Sequence, residues 1–263
     1  VTTPQLSKLA APYGVELELI DTGTGSPVLV LHEGTGLVSD AAFLGMLAEA
    51  HRVIAPSHPG FGGSTRPGNI DSVDDLAYFY LDLLDQLGID ECALVGCCFG
   101  GWIAAELAVR SPGRFSHLVL VDSVGIRVAT APTEPDFADI WAVSYADLAT
   151  RSAVDPEVRR RLFGFAEMSN EQAVAWTRNN DALALYAWQP YLHSPKLRSR
   201  LSRIRASTIV LWGAADRIAD PAYGRAFAES IPGAEFEIIR DAAHLPHLEQ
   251  PKEFSLRVKE FLS

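Results

Sequence analysis

The spacing of apolar residues changes along this chain, and the changes outline its elements. Val15-Glu16-Leu17-Glu18-Leu19-Ile20 alternates apolar with polar, as in a strand with one face in water near a sheet edge. Pro27-Val28-Leu29-Val30-Leu31 and His117-Leu118-Val119-Leu120-Val121 are continuous apolar runs, as expected of parallel strands buried on both faces. His51–Ala55, Cys92–Val95, Thr208–Trp212 and Phe236–Ile239 read as further strands. Between them the period lengthens. Val73, Leu76, Tyr80, Leu83, Leu84 and Leu87 recur at helical spacing, with Asp71 or Ser72 to cap the start and Gly88 to stop it. Ala41–Ala50, Trp102–Ala108 and a last helix carrying Phe254, Val258, Phe261 and Leu262 complete the alternation. Strands alternating with helices predict a doubly wound, mostly parallel α/β sheet.

Residues 126–200 interrupt this rhythm. Pro132, Pro135 and Pro156 break it, and no buried strand stands out. Helical patches remain at Phe137–Leu148, Pro156–Phe165 and Asn170–Trp188. The segment reads as a helical cap inserted between two parts of one core domain, residues 1–125 and 201–263. It follows a strand end on the side of the sheet where such folds bind ligands, so it is expected to exclude water and to supply a pocket.

Composition narrows the partners. A net charge of −11 over 263 residues argues against nucleic acid and anionic membrane surfaces. No apolar run approaches the roughly 20 residues that span a bilayer. Val1-Thr2-Thr3-Pro4-Gln5 lacks the features of a signal peptide, so a cytoplasmic protein is the expectation. The three cysteines, at 92, 97 and 98, show neither a disulfide framework nor metal-ligand spacing. With no phosphate-binding fingerprint either, no metal or organic cofactor is expected, and the partner should be a small molecule.

The candidate chemistry centres on Gly96-Cys97-Cys98-Phe99-Gly100-Gly101, between a buried strand and a helix. Glycines around an apical Cys98 permit a very sharp turn that presents one side chain at a helix N-terminus. Asp216 and His244 follow, each in a turn after a predicted strand. His244 would take the thiol proton through one ring nitrogen while Asp216 holds the other. An imidazolium and a helix N-terminus both favour a thiolate. Cys92 and Cys97 read as packing residues, with Cys97 pointing inward. Asp122 also ends a strand and is the alternative acid.

These residues carry a family resemblance. The elbow at 96–101, the turn Pro59-Gly60-Phe61-Gly62-Gly63-Ser64, Leu211-Trp212-Gly213 with Asp216, and Ala243-His244 followed by Glu249-Gln250-Pro251 together resemble the capped α/β-hydrolase superfamily. The layout looks most like its small esterases, lactonases and carbon–carbon bond hydrolases of ring-cleavage products. A cysteine in the elbow, where serine is commonest, resembles dienelactone hydrolases. It stands either as a natural nucleophile or in place of a serine. The resemblance implies an oxyanion hole formed by the backbone N–H groups of Gly34 and Phe99. The usual His-Gly-x-Gly reads His32-Glu33-Gly34-Thr35-Gly36 here, so Glu33 takes a place usually held by glycine. Its carboxylate either faces the site, as a proton-transfer group or a repulsive charge, or is satisfied elsewhere.

Other expectations rank lower. His32 should brace the oxyanion loop, and His58 and His247 should be structural. Trp141 and Trp188 are candidate pocket residues, as are Trp176, Tyr186 and Tyr191, although aromatic residues at such spacings also build a cap core. Arg178 or His193 is a candidate for binding a substrate carboxylate. The chain therefore reads as a Cys-His-Asp hydrolase of a small apolar ester, lactone or thioester. The alternatives are a carbon–carbon hydrolase acting on a diketone, and a ligand-binding protein with little turnover.

Overall fold

In the computed structural model, which describes residues 5–38, 41–131 and 134–263, an eight-stranded sheet runs through the molecule. In chain order the elements are β1 (Ser7–Ala10), β2 (Glu16–Thr22), β3 (Pro27–Leu31), α1 (Ala42–Leu47), β4 (Arg52–Pro56), α2 (Val73–Gln86), β5 (Cys92–Cys97), α3 (Phe99–Arg110) and β6 (Phe115–Val121). After β6 come α4 (Tyr145–Ser152), α5 (Pro156–Phe163), α6 (Asn170–Ala187) and α7 (Leu197–Arg200). The chain then returns through β7 (Ser207–Gly213), α8 (Pro221–Glu229), β8 (Glu235–Ile239), α9 (Pro246–Glu249) and α10 (Pro251–Phe261). The strand order is β1-β2-β4-β3-β5-β6-β7-β8, with β1 and β2 antiparallel and the remainder parallel. This is the α/β-hydrolase fold.

Period-two alternation explains the layers. In β5, Cys92 and Leu94 face the layer that holds α2, α3 and α8, while Ala93, Val95 and Cys97 face the layer built by α1 and α10. In β3, Leu29 and Leu31 face the first layer and Val28 and Val30 the second. Both faces are covered, which is why these strands are apolar throughout. The strand order reverses between β3 and β5, which pair Leu31 with Gly96. At that switch point the loops after the two strands diverge and leave a crevice at their carboxyl ends.

Several boundaries differ from those expected. Of the two expected caps, Ser72 is the one that starts α2, in a reciprocal arrangement with Asp75. The expected helix at 137–148 starts only at Tyr145. Asp139 Oδ1 accepts from the N–H groups of Trp141 and Ala142 at 3.1 and 3.0 Å, a local turn that competes with helix, and Ser144 then caps α4. The terminal helix is split at Gln250 into α9 and α10. The four-residue edge strand β1 went unforeseen because it is largely exposed and has no apolar face to betray it.

Candidate active site

Cys98 sits at the apex between β5 and α3 with φ 48° and ψ −109°, a conformation that L-residues rarely adopt. The turn is held by Cys98 N–H donating to Val121 O (2.8 Å), and by Cys98 O accepting from Gly101 and Trp102 N–H. Tight packing dictates the flanking glycines. A Cβ on Gly100 would lie 2.2 Å from Leu31 O, and one on Gly96 would lie 2.6 Å from Gly100 O. Phe99 begins α3, so its N–H lies at the helix N-terminus beside Cys98.

The neighbouring strand ends deliver the remaining groups. His244 Nδ1 lies 2.8 Å from Asp216 Oδ2, and Asp216 Oδ1 accepts from Ile218 and Ala219 N–H at 2.7 and 3.2 Å. Those donors fix the carboxylate, which in turn fixes the ring. Among the described residues His244 Nε2 has no well-aligned hydrogen-bond partner, and it shares a pocket with Cys98, whose sulfur acts on the ring. Burial lowers the His244 pKa, but the Asp216 carboxylate and Cys98 outweigh it, leaving His244 well above its ordinary value. The relay can hold a proton near neutral pH.

Asp122 stands close behind. Asp122, Asp216 and His244 each place a ligand-type atom within 4.8 Å of the others. Asp122 Oδ1 accepts from Gly213 N–H at 3.0 Å. Burial, and then the Asp216 charge, raise the Asp122 pKa well above its ordinary value. A metal at this cluster would have to displace the His244–Asp216 hydrogen bond, because that bond uses the facing atoms of both residues. Asp216, the group bonded to His244, occupies the place expected of the acid.

The loop after β3 is braced from below. His32 Nδ1–H donates to Glu33 O (2.6 Å), which leaves Nε2 to accept from His58 N–H (3.0 Å). His58 Nε2 bonds His32 O at 3.0 Å and its Nδ1 pairs with the Tyr80 hydroxyl. Burial pushes the His32 pKa down to about 4 and that of His58 well below normal, so both rings are neutral struts. Glu33 is among the residues that line the pocket, and both oxygens of its carboxylate are satisfied within the protein. Oε1 accepts from Thr35 Oγ1 at 2.9 Å, and Oε2 lies 3.3 Å from His247 Nε2. Burial alone would raise the Glu33 pKa; His247 overrides that and brings it to about 2. His247 is thus the partner of Glu33 rather than a mere neighbour.

The pocket above Cys98 holds about 70 Å³ of water-accessible space. Glu33, Gly34, Thr35, Cys98 and His244 form its floor, while Ile140, Leu148, Phe163, Trp176 and Leu183 reach it from the 126–200 segment. Three of the polar ties that hold that segment down lie beside the site. Asn179 accepts from Gly62 N–H (2.8 Å) and donates to Thr35 O (2.6 Å). Glu249 accepts from Ala243 N–H with one oxygen and from Val154 and Asp155 N–H with the other. His244 N–H donates to Ser152 O at 3.0 Å. The roles of Asn179 and Glu249 escaped the sequence reading, because each depends on backbone groups brought in from distant segments.

Some expectations are corrected. Trp141 and Trp188 do not line this pocket: they pack on each other with ring centroids 5.0 Å apart, and Trp188 is 57% exposed. Tyr186 and Tyr191 use their hydroxyls on backbone groups, at Pro59 O and at Ala138 O and Ile140 N. Arg178 is exposed and donates to Gly62 O, and His193 Nδ1 contacts Tyr191 O; neither lines the pocket. Cys97 is buried as expected, and burial drives its thiol pKa well up.

Comparison with known proteins agrees with the architecture. A 2-hydroxymuconate semialdehyde hydrolase from Pseudomonas sp. (strain CF600) is 28% identical over 99% of this chain and 95% of its own. A 2-hydroxy-6-oxo-2,4-heptadienoate hydrolase from Pseudomonas putida is 27% identical over 98% and 97%. Among solved structures, a thermophilic esterase from Thermogutta terrifontis superposes with a TM-score of 0.74 at 25% identity, covering 98% of each chain. A meta-cleavage product hydrolase from Pseudomonas fluorescens IP01 gives 0.75 at 24%, covering 97% of each. The sequence profile described as "Alpha/beta hydrolase family" matches residues 28–256, and the chain belongs to that family.

Proposed function

We propose that the protein is a cysteine hydrolase that cleaves a carbon–carbon bond next to a ketone carbonyl in a small, largely apolar diketone. The observation that carries this reading is the Asp216–His244 relay opening beside Cys98 on the floor of an apolar pocket. The relatives move the balance from the ester substrate favoured by the sequence toward carbon–carbon cleavage, since two that are similar along their whole length are named as hydrolases of 2-hydroxymuconate semialdehyde and of 2-hydroxy-6-oxo-2,4-heptadienoate.

In this reading Cys98 Sγ bonds to the ketone carbon, and the carbonyl oxygen takes up the electron pair facing the N–H groups of Gly34 and Phe99. Collapse breaks the carbon–carbon bond. Its electron pair leaves as an enolate, which takes the proton carried by His244. Water then gives a proton to His244 as its oxygen attacks the thioester, releasing a carboxylic acid and returning the thiolate. The 126–200 segment acts as a cap that keeps bulk water from the enolate.

The test is a panel of diketones with acyl arms of increasing size, followed by absorbance, beside a panel of activated esters. Cys98→Ala should abolish turnover, and intact-protein mass should show a transient acyl adduct on the unmodified protein. Cys98→Ser should lower the rate if cysteine is the native nucleophile. A rise would mean that the site is tuned for serine, and no adduct with any substrate would sink covalent catalysis. A second reading, ester hydrolysis by the same residues, is favoured by the apolar pocket walls and by the similarity to the esterase. Faster turnover of esters than of every diketone would select it.

A further inference from the structure

We infer that the Ser152 hydroxyl recognises the second carbonyl of the substrate, donating a hydrogen bond to the oxygen that becomes the enolate oxygen when the carbon–carbon bond breaks. This rests on the diketone reading of the pocket above Cys98, and it assigns one residue of the 126–200 segment to one atom of that substrate.

Ser152 is the last residue of α4, and it lines the pocket together with Cys98 and His244. Only 4% of its surface is exposed. Among the described residues its Oγ finds no hydrogen-bond partner, yet it is not sealed inside the protein as the unpaired hydroxyls of Ser57 and Ser255 are. The small exposed part of Ser152 therefore includes the hydroxyl, and the space that it meets is the pocket. A buried hydroxyl left in this state has its donor and its lone pairs free for a ligand.

The residue is also fixed relative to the proton carrier. Ser152 O accepts from His244 N–H at 3.0 Å, which joins the two residues through their backbones. Just beyond, Glu249 holds the N–H groups of Val154 and Asp155 with one oxygen and that of Ala243 with the other. Ala153, between these ties, is buried in a cluster with Leu245. A hydroxyl on backbone held from both sides loses little freedom on meeting a substrate oxygen, and it is oriented in advance toward charge that appears only during the reaction.

The chemistry of the bond cleavage then selects the oxygen. The carbon that takes the His244 proton is bonded to the second carbonyl carbon, so the second oxygen lies two bonds from it. A donor tied to His244 stands at that end of the molecule, whereas the N–H groups of Gly34 and Phe99 serve the first oxygen. An enolate oxygen in an apolar cavity is costly without a donor of its own. Of the other hydroxyl and amide side chains on the wall, Thr35 Oγ1 donates to Glu33 Oε1 at 2.9 Å and Asn180 Nδ2 to Trp176 O at 3.0 Å. Among these described groups Ser152 is the one whose donor is wholly unspent.

An ester has no second carbonyl, and this difference supplies the test. Ser152→Ala is compared with the unmodified protein on benzoylacetone and on p-nitrophenyl butanoate. The loss of kcat/KM on the diketone should exceed the loss on the ester by at least ~10-fold, as expected of one hydrogen bond to an acceptor that gains charge, and it should fall mainly on kcat. Equal losses on both substrates would mean that the substitution only loosens the His244 loop, and they overturn the inference; so does an undiminished diketone rate. A second measurement needs no turnover. 3,3-Dimethylpentane-2,4-dione, which cannot enolise between its carbonyls, and 3,3-dimethylpentan-2-one are titrated against tryptophan emission, to which Trp176 on the pocket wall contributes. The unmodified protein should bind the dione about threefold or more tightly, and Ser152→Ala should remove that preference. Equal binding in the unmodified protein, a preference that survives in Ser152→Ala, or binding of neither compound counts against the inference. A preference lost in Ser152→Ala, with no cleavage of any diketone by the unmodified protein, would remove the carbon–carbon reading and leave recognition of a second carbonyl standing. Cleavage of benzoylacetone at the same rate by both proteins would do the reverse.

Discussion

Glu33 and Asp122 show how burial and neighbours shift two carboxyl groups within one site in opposite directions. Burial favours the neutral form of both. Beside His247 the Glu33 carboxylate keeps its charge, with a pKa of about 2, whereas burial and the Asp216 charge raise the Asp122 pKa well above its ordinary value. Because the Glu33 pKa lies below its unfolded value of 4.5, its contribution to stability is fully present above pH 4.5 and is lost as pH falls toward 2. The shift corresponds to about 3 kcal/mol at neutral pH. Urea midpoints of the unmodified protein and Glu33→Gln should therefore differ at pH 7 and converge as the pH is lowered below 4.5. A constant difference would show that the Glu33–His247 pair is not ionic. For Asp122, substitution by Asn keeps an oxygen for Gly213 N–H, so kcat should stay within about fivefold, while Asp122→Val leaves that buried donor unpaired at a cost of about 1–3 kcal/mol. Thermal denaturation and steady-state kinetics on the two variants distinguish these outcomes.

At the scale of elements, the elbow and α9 carry different constraints. The elbow is set by close approach. Gly100→Ala would push a methyl group onto the Leu31 carbonyl, a backbone atom that cannot swing aside, so α3 would have to shift away from β3. The expected cost is at the upper end of the ~1–3 kcal/mol typical of overpacking. Soluble yield and melting temperature report it, and an unperturbed Gly100→Ala variant would contradict the packing described. In α9, Glu249 is both a buried acceptor and a fastener, joining the loop of His244 to the start of α5 through Ala243, Val154 and Asp155. Glu249→Leu leaves those three N–H groups without an acceptor. Its hydrogen exchange should rise at residues 153–155 and 243–244 while β5 and β6 stay protected, because local opening precedes global unfolding.

For the whole molecule, the strand order matters more than any single motif. Reversal between β3 and β5 puts the loop after β3 beside the elbow, and the pairing of β6, β7 and β8 lines up the turns that carry Asp122, Asp216 and His244. The segment between β6 and β7 then closes over this edge through contacts that begin more than a hundred residues apart, such as Asn179 with Gly62 and Thr35. Asn179→Ala should loosen α6 at both anchor points. Its signature would be faster proteolytic nicking within 137–187 and a raised KM, with the melting of the sheet little changed.

The sequence by itself determined what local physics controls. Apolar runs buried on both faces could only be central strands, the helical repeat at 73–87 could only be amphipathic, and glycines around Cys98 announced a turn that presents one side chain. The chain order of Cys98, Asp216 and His244 was legible because each follows a strand. Tertiary structure alone decided matters that depend on which distant groups meet. The direction of the Glu33 carboxylate, its pairing with His247, the raised pKa of Asp122 and the anchoring roles of Asn179 and Glu249 all arise from partners far away in the chain. Trp141 and Trp188 illustrate the same division. Their spacing fits a pocket wall and a packed cluster equally well, and only the start of α4 at Tyr145 turned them toward each other and away from Cys98. Periodicity records which face of an element is buried; it carries no record of what that face is buried against.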